Sequence, residues 1–400
     1  MTNIQIDMDN NLNCSKELKE LQENPMFKFS MSSLELFHSN FLEWLFDQNY
    51  SAFLKCFGME VETNKEYTIE REFCLGSNKI DGKKKNWITD IAVFAKDKNN
   101  DDEKYRSELV LIIENKIKSL PSKGQLEAQA KLSGNCKKVL LTLFDLPTDY
   151  ILHGFTVVKY KDLIEKDLIE NIREQYKDNA YFKPYIDDYC KMVETLQQII
   201  DNDDVVKKNK EGYFTFHHHS KDLETCGMQD AFRKYQTAQL VQKANNVFGE
   251  EYKNVPIETG VWFANKHACA NVFLKLKEDL QVGVQIEHDQ FRVSFEGKAI
   301  EKLYQGECLK DDKYNFLDKI WNDWLKGRSD GRKKDNCRYG KYFVYRYVRI
   351  QNPEDKNIKI KIDQLLEKGG WLEGYQELSV KYILDKIIEN KKEIIEKLYK

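Results

Sequence analysis

The chain has 400 residues, more than most single domains contain, so two or three domains are expected. Hydrophobic residues make up 41% and charged residues 32%, which suits a globular protein and excludes a wholly disordered one. The net charge of −3 neither indicates nor excludes a nucleic-acid partner, because a local basic patch matters more than the sum.

Nine cysteines are scattered along the chain without a CxxC pair, a pattern typical of reduced thiols and not of a disulfide framework or zinc site. Residues 1–15 are polar and acidic, unlike a signal peptide. No apolar run approaches the roughly 18 residues that a membrane span needs. These features predict a cytoplasmic protein without a membrane partner.

The first half of the chain alternates between helical and strand-like patterns. Apolar residues recur at helical spacing after Ser32 and Ser33, either of which is a candidate helix cap. In chain order we predict a helix over 34–48, strands over 66–73, 86–96 and 108–117, a helix over 121–134, strands over 137–144 and 155–160, and helices over 162–177 and 185–200. This order predicts an α/β fold with a mixed sheet flanked by helices.

Residues 201–213 are charged and poor in apolar residues, which predicts a boundary between a domain over 1–205 and another over 206–400. The second domain is expected to be α+β with a largely antiparallel sheet. Its predicted elements are a helix over 228–249, strands over 259–265, 270–277, 280–288 and 291–297, a helix over 314–327, a strand over 342–350 and a helix over 374–399. Residues 327–341, GRSDGRKKDNCRYGK, are predicted to be a basic loop.

The third predicted strand ends in IIENKI, where two opposite charges follow an apolar run. Residues two apart in a strand lie on the same face, so Glu114 and Lys116 project together. If 86–96 and 108–117 pair as a hairpin, Asp90 comes beside Glu114. Two close carboxylates raise each other's pKa unless a cation lies between them, and Mg²⁺ or Mn²⁺ prefers such oxygen ligands. Lys116 would then stabilise negative charge on a phosphate or orient the attacking water.

These residues resemble the D…ExK core of the PD-(D/E)XK nuclease superfamily. Further segments resemble one of its subfamilies, which has an E-x-x-H-S first helix and an I-E-N-K strand. They are ELFHSNFLEWLF (35–46), GQL (124–126), FTVVKYKDLIE (155–165) and FKPYIDDYCKMVETL (182–196). The resemblance covers about residues 25–200 and implies a restriction-endonuclease-like core in αβββαβ order.

The resemblance implies a metal-dependent nuclease that hydrolyses phosphodiester bonds, with Mg²⁺ or Mn²⁺ as cofactor and DNA favoured over RNA. Asp90 and Glu114 would bind the metal, together with the main-chain carbonyl of Asn115. Lys116 would be the catalytic lysine.

The resemblance also implies that Glu35 is a catalytic acid near the metal and that Gln125 is an auxiliary catalytic residue. Two positions depart from the family pattern: Thr89 stands where the superfamily name has proline, and Gln129 where the subfamily often has tyrosine. Asp81 is the alternative first metal acid, but a Gly-Lys turn follows it, whereas an apolar strand follows Asp90.

Several polar and basic residues are candidates for contact with nucleic acid. They are His38, Ser39, Lys118, Lys123, Arg328, Arg332, Lys333 and Lys334. For His38 and Ser39 the alternative is a structural role, and for the basic residues it is a solvated loop.

Two other functions stay open from the sequence. The fold could serve as a catalytically silent module that binds nucleic acid or protein, although intact acid and lysine positions argue against this. The same metal chemistry would also permit an RNA-cleaving nuclease. A bacterial defence or restriction-like role rests on analogy. A homodimer is a further possibility, and the second domain would serve substrate binding, dimerisation or regulation.

Overall fold

The structure is a computed structural model, which describes residues 16–30, 35–80, 83–98, 107–121, 123–143, 146, 153–164, 167–215, 221–252, 254–264, 267–287, 290–301, 303–305, 308–309, 311–325, 337–340, 342–349, 359–369 and 378–399. Some residues singled out in the sequence lie outside these ranges: Ser32, Ser33, Asp81, Arg328, Arg332, Lys333 and Lys334. The chain divides into two compact units, one of residues 1–144, 152–203 and 220–229, the other of residues 145–151, 204–219 and 230–400.

The first half of the chain is mixed α/β. Its elements are α1 (Lys16–Glu23), α2 (Pro25–Ser30), α3 (Leu36–Gln48), α4 (Tyr50–Cys56), β1 (Lys65–Ile80), β2 (Lys83–Asp97), β3 (Glu108–Lys116), α5 (Lys123–Leu132), β4 (Lys137–Thr142), β5 (Thr156–Lys159), α6 (Tyr160–Ile164), α7 (Asp167–Gln175) and α8 (Phe182–Asn202).

The five strands form one mixed sheet in the order β1-β2-β3-β4-β5. β2 pairs antiparallel with both β1 and β3, so the predicted hairpin between β2 and β3 is confirmed. β4 lies parallel to β3 because the helix α5 carries the chain back between them, and β5 lies parallel to β4. β3 is therefore the central strand, and its residues Leu111, Ile112 and Ile113 are fully buried. A strand covered on both faces is expected to be a continuous apolar run.

Helix α3 begins two residues later than predicted. Glu35 takes the N-cap position with non-helical backbone angles, and its side chain makes no capping hydrogen bond. The helix packs against β1 and β2, and it buries His38 and Ser39 together with its apolar residues. The buried face of α3 is therefore partly polar.

The second half of the chain begins with more helix than the sequence pattern predicts. Its elements are α9 (Asp204–Lys210), β6 (Tyr213–Thr215), α10 (Lys221–Thr225), α11 (Gln229–Glu251), β7 (Ile257–Ala264), β8 (His267–Lys277), β9 (Leu280–Glu287), β10 (Gln290–Glu296), α12 (Lys298–Glu301), β11 (Tyr304–Gln305), β12 (Cys308–Leu309), α13 (Asp311–Trp324), β13 (Cys337–Gly340), β14 (Phe343–Arg349), β15 (Lys359–Lys361), a π-helical turn (Gln364–Lys368) and α14 (Val380–Tyr399).

A separate six-stranded sheet has the order β13-β14-β10-β9-β8-β7, and all of its neighbouring strands are antiparallel. One face of this sheet packs on a hydrophobic core shared with α11, α13 and α14. Trp321 and Trp324 belong to that core, and the Trp321 indole N–H donates to the carbonyl of Val293 at 3.2 Å. Both tryptophans are therefore packing residues of this core.

Two differences from the sequence prediction concern the second half of the chain, at residues 337–340 and at the start of the closing helix. Residues 337–340 were predicted to be loop but form β13, because they add to the free edge of β14. The closing helix was predicted over 374–399, but Leu378 and Ser379 are not helical and α14 begins at Val380, while residues 374–377 lie outside the described ranges. Within the described part of the chain, no helix is both long and apolar enough to cross a membrane.

Candidate active site

The candidate site lies where β3 ends. Glu114 and Lys116 project to the same side because they are two residues apart in a strand. The Lys116 ammonium lies 2.7 Å from Glu114 Oε1, and the two side chains are only 7% and 1% exposed. An ion pair this deeply buried is costly to desolvate, so other groups are needed to support it.

Asp90 reaches the same place from β2. The pair Ile91–Ile113 is in register, so the next step along the hairpin brings Asp90 beside Glu114. Asp90 Oδ2 accepts the main-chain N–H of Asn115 at 2.7 Å and lies 3.9 Å from Lys116 Nζ. The hairpin therefore brings the two predicted metal acids to one ammonium.

Glu35 contributes a third carboxylate from the start of α3. Its Oε2 accepts from Lys116 Nζ at 2.9 Å, and its Oε1 accepts from the Ser119 hydroxyl. This explains why Glu35 does not cap its own helix: the side chain is held by Lys116 and Ser119 instead.

Two glutamines of α5 donate hydrogen bonds to the carboxylate of Glu114. Gln125 donates to Oε1 at 2.6 Å, and Gln129 donates to Oε2 at 2.5 Å. Gln129 is completely buried and also donates to the carbonyl of Ile88 at 2.8 Å. In the sequence, Gln129 stands out only as a departure from the family pattern. Its spacing of four from Gln125 puts both on one helix face, a signal that would have found it.

Burial and charge shift the pKa values of these groups in a consistent way. Burial, followed by the negative charge of Glu114, raises the pKa of Asp90 to about 7, although Lys116 opposes the shift. Burial likewise raises the pKa of Glu114 against the pull of Lys116. Burial would lower the pKa of Lys116, but attraction by Glu114, Glu35 and Asp90 outweighs it and raises that pKa. Lys116 therefore stays protonated at neutral pH.

His38 and Ser39 lie in the interior, with 0% and 1% of their surface exposed. Ser39 Oγ accepts from the Asn115 side-chain amide at 3.2 Å, and His38 Nδ1 lies 3.1 Å from the Tyr189 hydroxyl. The Tyr160 hydroxyl donates to Asn115 Oδ1 at 2.5 Å. Both tyrosines lie in segments that resemble the subfamily, 155–165 and 182–196, but neither was predicted to be a site residue, since no local pattern connects α6 and α8 to β3.

Lys118, which follows the strand, is not part of the carboxylate cluster. Lys118 is 4% exposed, and its ammonium donates to the carbonyl and hydroxyl of Ser30 at 3.2 and 3.3 Å. Burial lowers the pKa of Lys118. Lys123 is the first residue of α5. In this structure Lys118 stabilises the end of α2, and its ammonium is turned inward.

The carboxylates around Lys116 are the candidate metal ligands that the sequence implies. Among the described residues, no group of three or more Asp, Glu, His or Cys side chains is arranged so that it could hold a metal ion. Here the Lys116 ammonium lies among Asp90, Glu114 and Glu35. With all three carboxylates ionised, one ammonium would leave two negative charges uncompensated, and burial makes that excess costly, in keeping with the raised pKa values of Asp90 and Glu114. The side-chain acceptors of these three acids are hard oxygens, the ligand type that Mg²⁺ and Mn²⁺ prefer.

No protein-family model, curated protein or solved structure matches this chain. Its function therefore has to be argued from the chemistry of the site.

Proposed function

We propose that the chain is a metal-dependent nuclease that hydrolyses phosphodiester bonds, with DNA favoured as its polymer. The observation that carries the proposal is the convergence of Asp90, Glu114 and Lys116, with Glu35 beside them. Two acids and a lysine close together suit phosphodiester hydrolysis. The acids can bind a metal ion, and the metal and the lysine can stabilise the negative charge that develops on the phosphate oxygens.

The fold of the first unit supports the same proposal. Its order is helix, three antiparallel strands, helix, parallel strand, with Glu114 and Lys116 at the end of the central strand. This order is consistent with the αβββαβ core that the resemblance to the PD-(D/E)XK superfamily implies. We therefore propose a restriction-endonuclease-like core for this unit.

The residues have separate roles in the proposed reaction. Water attacks phosphorus, and the bond from phosphorus to the leaving oxygen breaks. Asp90 and Glu114, with the Asn115 carbonyl, would hold Mg²⁺ or Mn²⁺, which would supply an activated water and neutralise charge. Lys116 is protonated and acts as a fixed positive charge for the phosphoryl oxygens and not as a base.

Gln125, Gln129 and Glu35 act on these groups indirectly. The glutamines orient the Glu114 carboxylate, because each donates to one of its oxygens. Glu35 holds the ammonium of Lys116 from the opposite helix. Fixed donors and charges of this kind cost no reorganisation when the reaction occurs.

The proposal is tested by incubating the full chain with plasmid, linear double-stranded DNA, single-stranded DNA and RNA. Each substrate is combined with Mg²⁺, Mn²⁺ or EDTA. We expect cleavage of DNA that needs the metal and is lost, by at least about a hundredfold, in Lys116→Ala and Glu114→Ala. The matched control is Lys131→Ala, which removes an exposed lysine paired with Glu127 and should leave cleavage unchanged.

Other results would change the proposal in defined ways. Cleavage of RNA alone would keep the chemistry and change the polymer. A folded protein that binds nucleic acid but cleaves none of these substrates with either metal would instead be a silent binding module. Homodimerisation, cytoplasmic location and a role in defence stay predictions from the sequence.

A further inference from the structure

A cavity of about 330 Å³ lies within the second unit. Three segments line it: residues 209–212, which end α9 and form the turn after it, four residues of α11, and Ile362 after β15. Cavities that bind small molecules range from about 300 to 1,000 Å³. The size of this cavity therefore suits one small ligand.

Hydrogen bonds within the chain connect the three segments. The N–H of Gly212 donates to the carbonyl of Asn209 at 2.9 Å, and the carbonyl of Gly212 accepts from the N–H of Ile362 at 2.9 Å. The Asn209 side-chain amide donates to Gln239 on α11. Gly212 has a φ of +87°, which glycine adopts without strain. The cavity is therefore formed before any ligand enters it.

The rim of the cavity is positively charged. Lys210 and Lys243 line it, and both are exposed to solvent. Within the described residues Lys243 has no ion pair or hydrogen bond, and a β-carbon added at Gly212 would lie 3.2 Å from its ammonium. Glu211 is the only acid among the lining residues, and Lys208 pairs with it at 2.7 Å. The rim therefore favours an anionic group.

Four side-chain amides supply most of the remaining lining: Asn209, Gln239, Gln242 and Asn246. The last three lie on one face of α11, because they are spaced three and four residues apart. Each amide has both donors and an acceptor. Asn209 is only 2% exposed, and its Oδ1 has no hydrogen-bond partner among the described residues. A buried acceptor without a donor is costly, so a ligand that brings a donor to it is favoured.

We propose that this cavity binds a nucleoside phosphate, with the phosphate at Lys210 and Lys243 and the base against the amides. Such a ligand combines an anionic group with a base whose edge presents donors and acceptors that Asn and Gln side chains match. A free mononucleotide and an unstacked nucleotide of a single strand offer the same chemistry. The cavity shares no residue with the candidate active site, so the proposal does not rest on the nuclease function.

The ligand class is tested by isothermal titration of the full chain with the nucleoside 5′-monophosphates of all four bases, ribose 5-phosphate and inorganic phosphate. EDTA keeps divalent ions off the carboxylates of the first unit. We expect at least one nucleotide to bind with a Kd below about 1 mM, and the two ligands without a base to bind at least about tenfold more weakly. Ribose 5-phosphate that binds as tightly as the best nucleotide, or no binding of any nucleotide to the folded protein, would overturn the proposal.

The position of the phosphate is tested with Lys243→Ala, which removes an exposed ammonium and leaves no buried group without its partner. Nucleotide binding should weaken by about tenfold or more. Lys243→Arg keeps the charge and should restore the Kd to within about threefold of wild type. Lys392→Ala removes an exposed lysine of α14 outside the cavity and, as the matched control, should change the Kd less than about twofold. Equal Kd values for wild type and Lys243→Ala would show that this cavity is not the binding site.

A titration with fluorescein-labelled single-stranded DNA in EDTA distinguishes the two sources of the ligand. If the ligand is a nucleotide of a strand, Lys243→Ala weakens binding of the strand as it weakens binding of the mononucleotide, and the mononucleotide displaces the strand. If the ligand is a free nucleotide, Lys243→Ala leaves binding of the strand unchanged. Either result supports a nucleoside phosphate site. A chain that cleaves no polymer would remove the nuclease function and leave these titrations unaffected.

Discussion

The ammonium of Lys116 lies 2.7 Å from Glu114 Oε1, although both side chains are almost completely buried. The pair is held at the end of a central strand, and Glu35 and Asp90 bring two more carboxylates to the same ammonium. Such a cluster is costly for the stability of the fold, because Lys116 and Glu114 have lost almost all of their water. This cost is consistent with our proposal that the site carries chemistry that needs charge at this point.

Removing the Lys116 ammonium should strengthen Mg²⁺ binding and abolish cleavage. In Lys116→Ala the three carboxylates lose the ammonium that offsets their charge, so we expect Mg²⁺ to bind more tightly than in wild type, by about tenfold, while cleavage is lost. Isothermal titration of both proteins with Mg²⁺ measures this. Weaker binding in the variant would show that the carboxylates do not form the cation site.

Asp90 should make the metal-free protein less stable as pH rises. Its pKa is about 7 in the folded protein, against about 3.9 in an unfolded chain, so the folded state holds the extra proton between these values. The contribution of the Asp90 carboxyl to the free energy of unfolding is fully present below about pH 4 and is lost as the pH rises through 7.

We expect the loss to be on the order of 2–4 kcal/mol between pH 4 and pH 8, measured by urea unfolding in EDTA. Asp90→Asn should remove most of this pH dependence and be more stable than wild type at pH 8. A variant with the wild-type pH dependence would show that another group is responsible.

Gln129 should matter more for stability than Gln125, although both donate to Glu114. Gln129 is fully buried, and its loss leaves the buried Oε2 of Glu114 without its hydrogen-bond donor. We expect Gln129→Ala to lower the free energy of unfolding by about 2–3 kcal/mol and Gln125→Ala by about 1 kcal/mol or less. Equal losses in chemical denaturation would contradict this interpretation.

Arg346 should be a main determinant of stability in the second unit. Its guanidinium bonds Asp318 at 2.7 Å and Asn322 at 3.1 Å and lies over the ring of Trp321, with its side chain 3% exposed. Because Arg346→Ala leaves a carboxylate without its partner, we expect a loss of about 3–5 kcal/mol in thermal or urea unfolding. The exposed Arg349 supplies the control, since Arg349→Ala should cost less than about 1 kcal/mol.

The sequence predicted the elements that form the first sheet because their patterns are local. The apolar run before Glu114 predicted a buried strand, and the polar link before it predicted the hairpin with β2, which is confirmed. Where neighbours decide the outcome, the prediction was less accurate. Residues 337–340 look like a basic loop by composition but become a strand because the edge of β14 is available to pair.

The sequence by itself determined that Glu114 and Lys116 share one face of a strand, since alternation is a property of the extended backbone. Register within the hairpin then put Asp90 beside them. Only the tertiary structure decided that Gln129 holds Glu114 and that Tyr160 holds Asn115. The periodicity of the sequence predicts on which face of its own helix or strand a residue lies. Packing between elements distant in sequence decides which other residues contact that face.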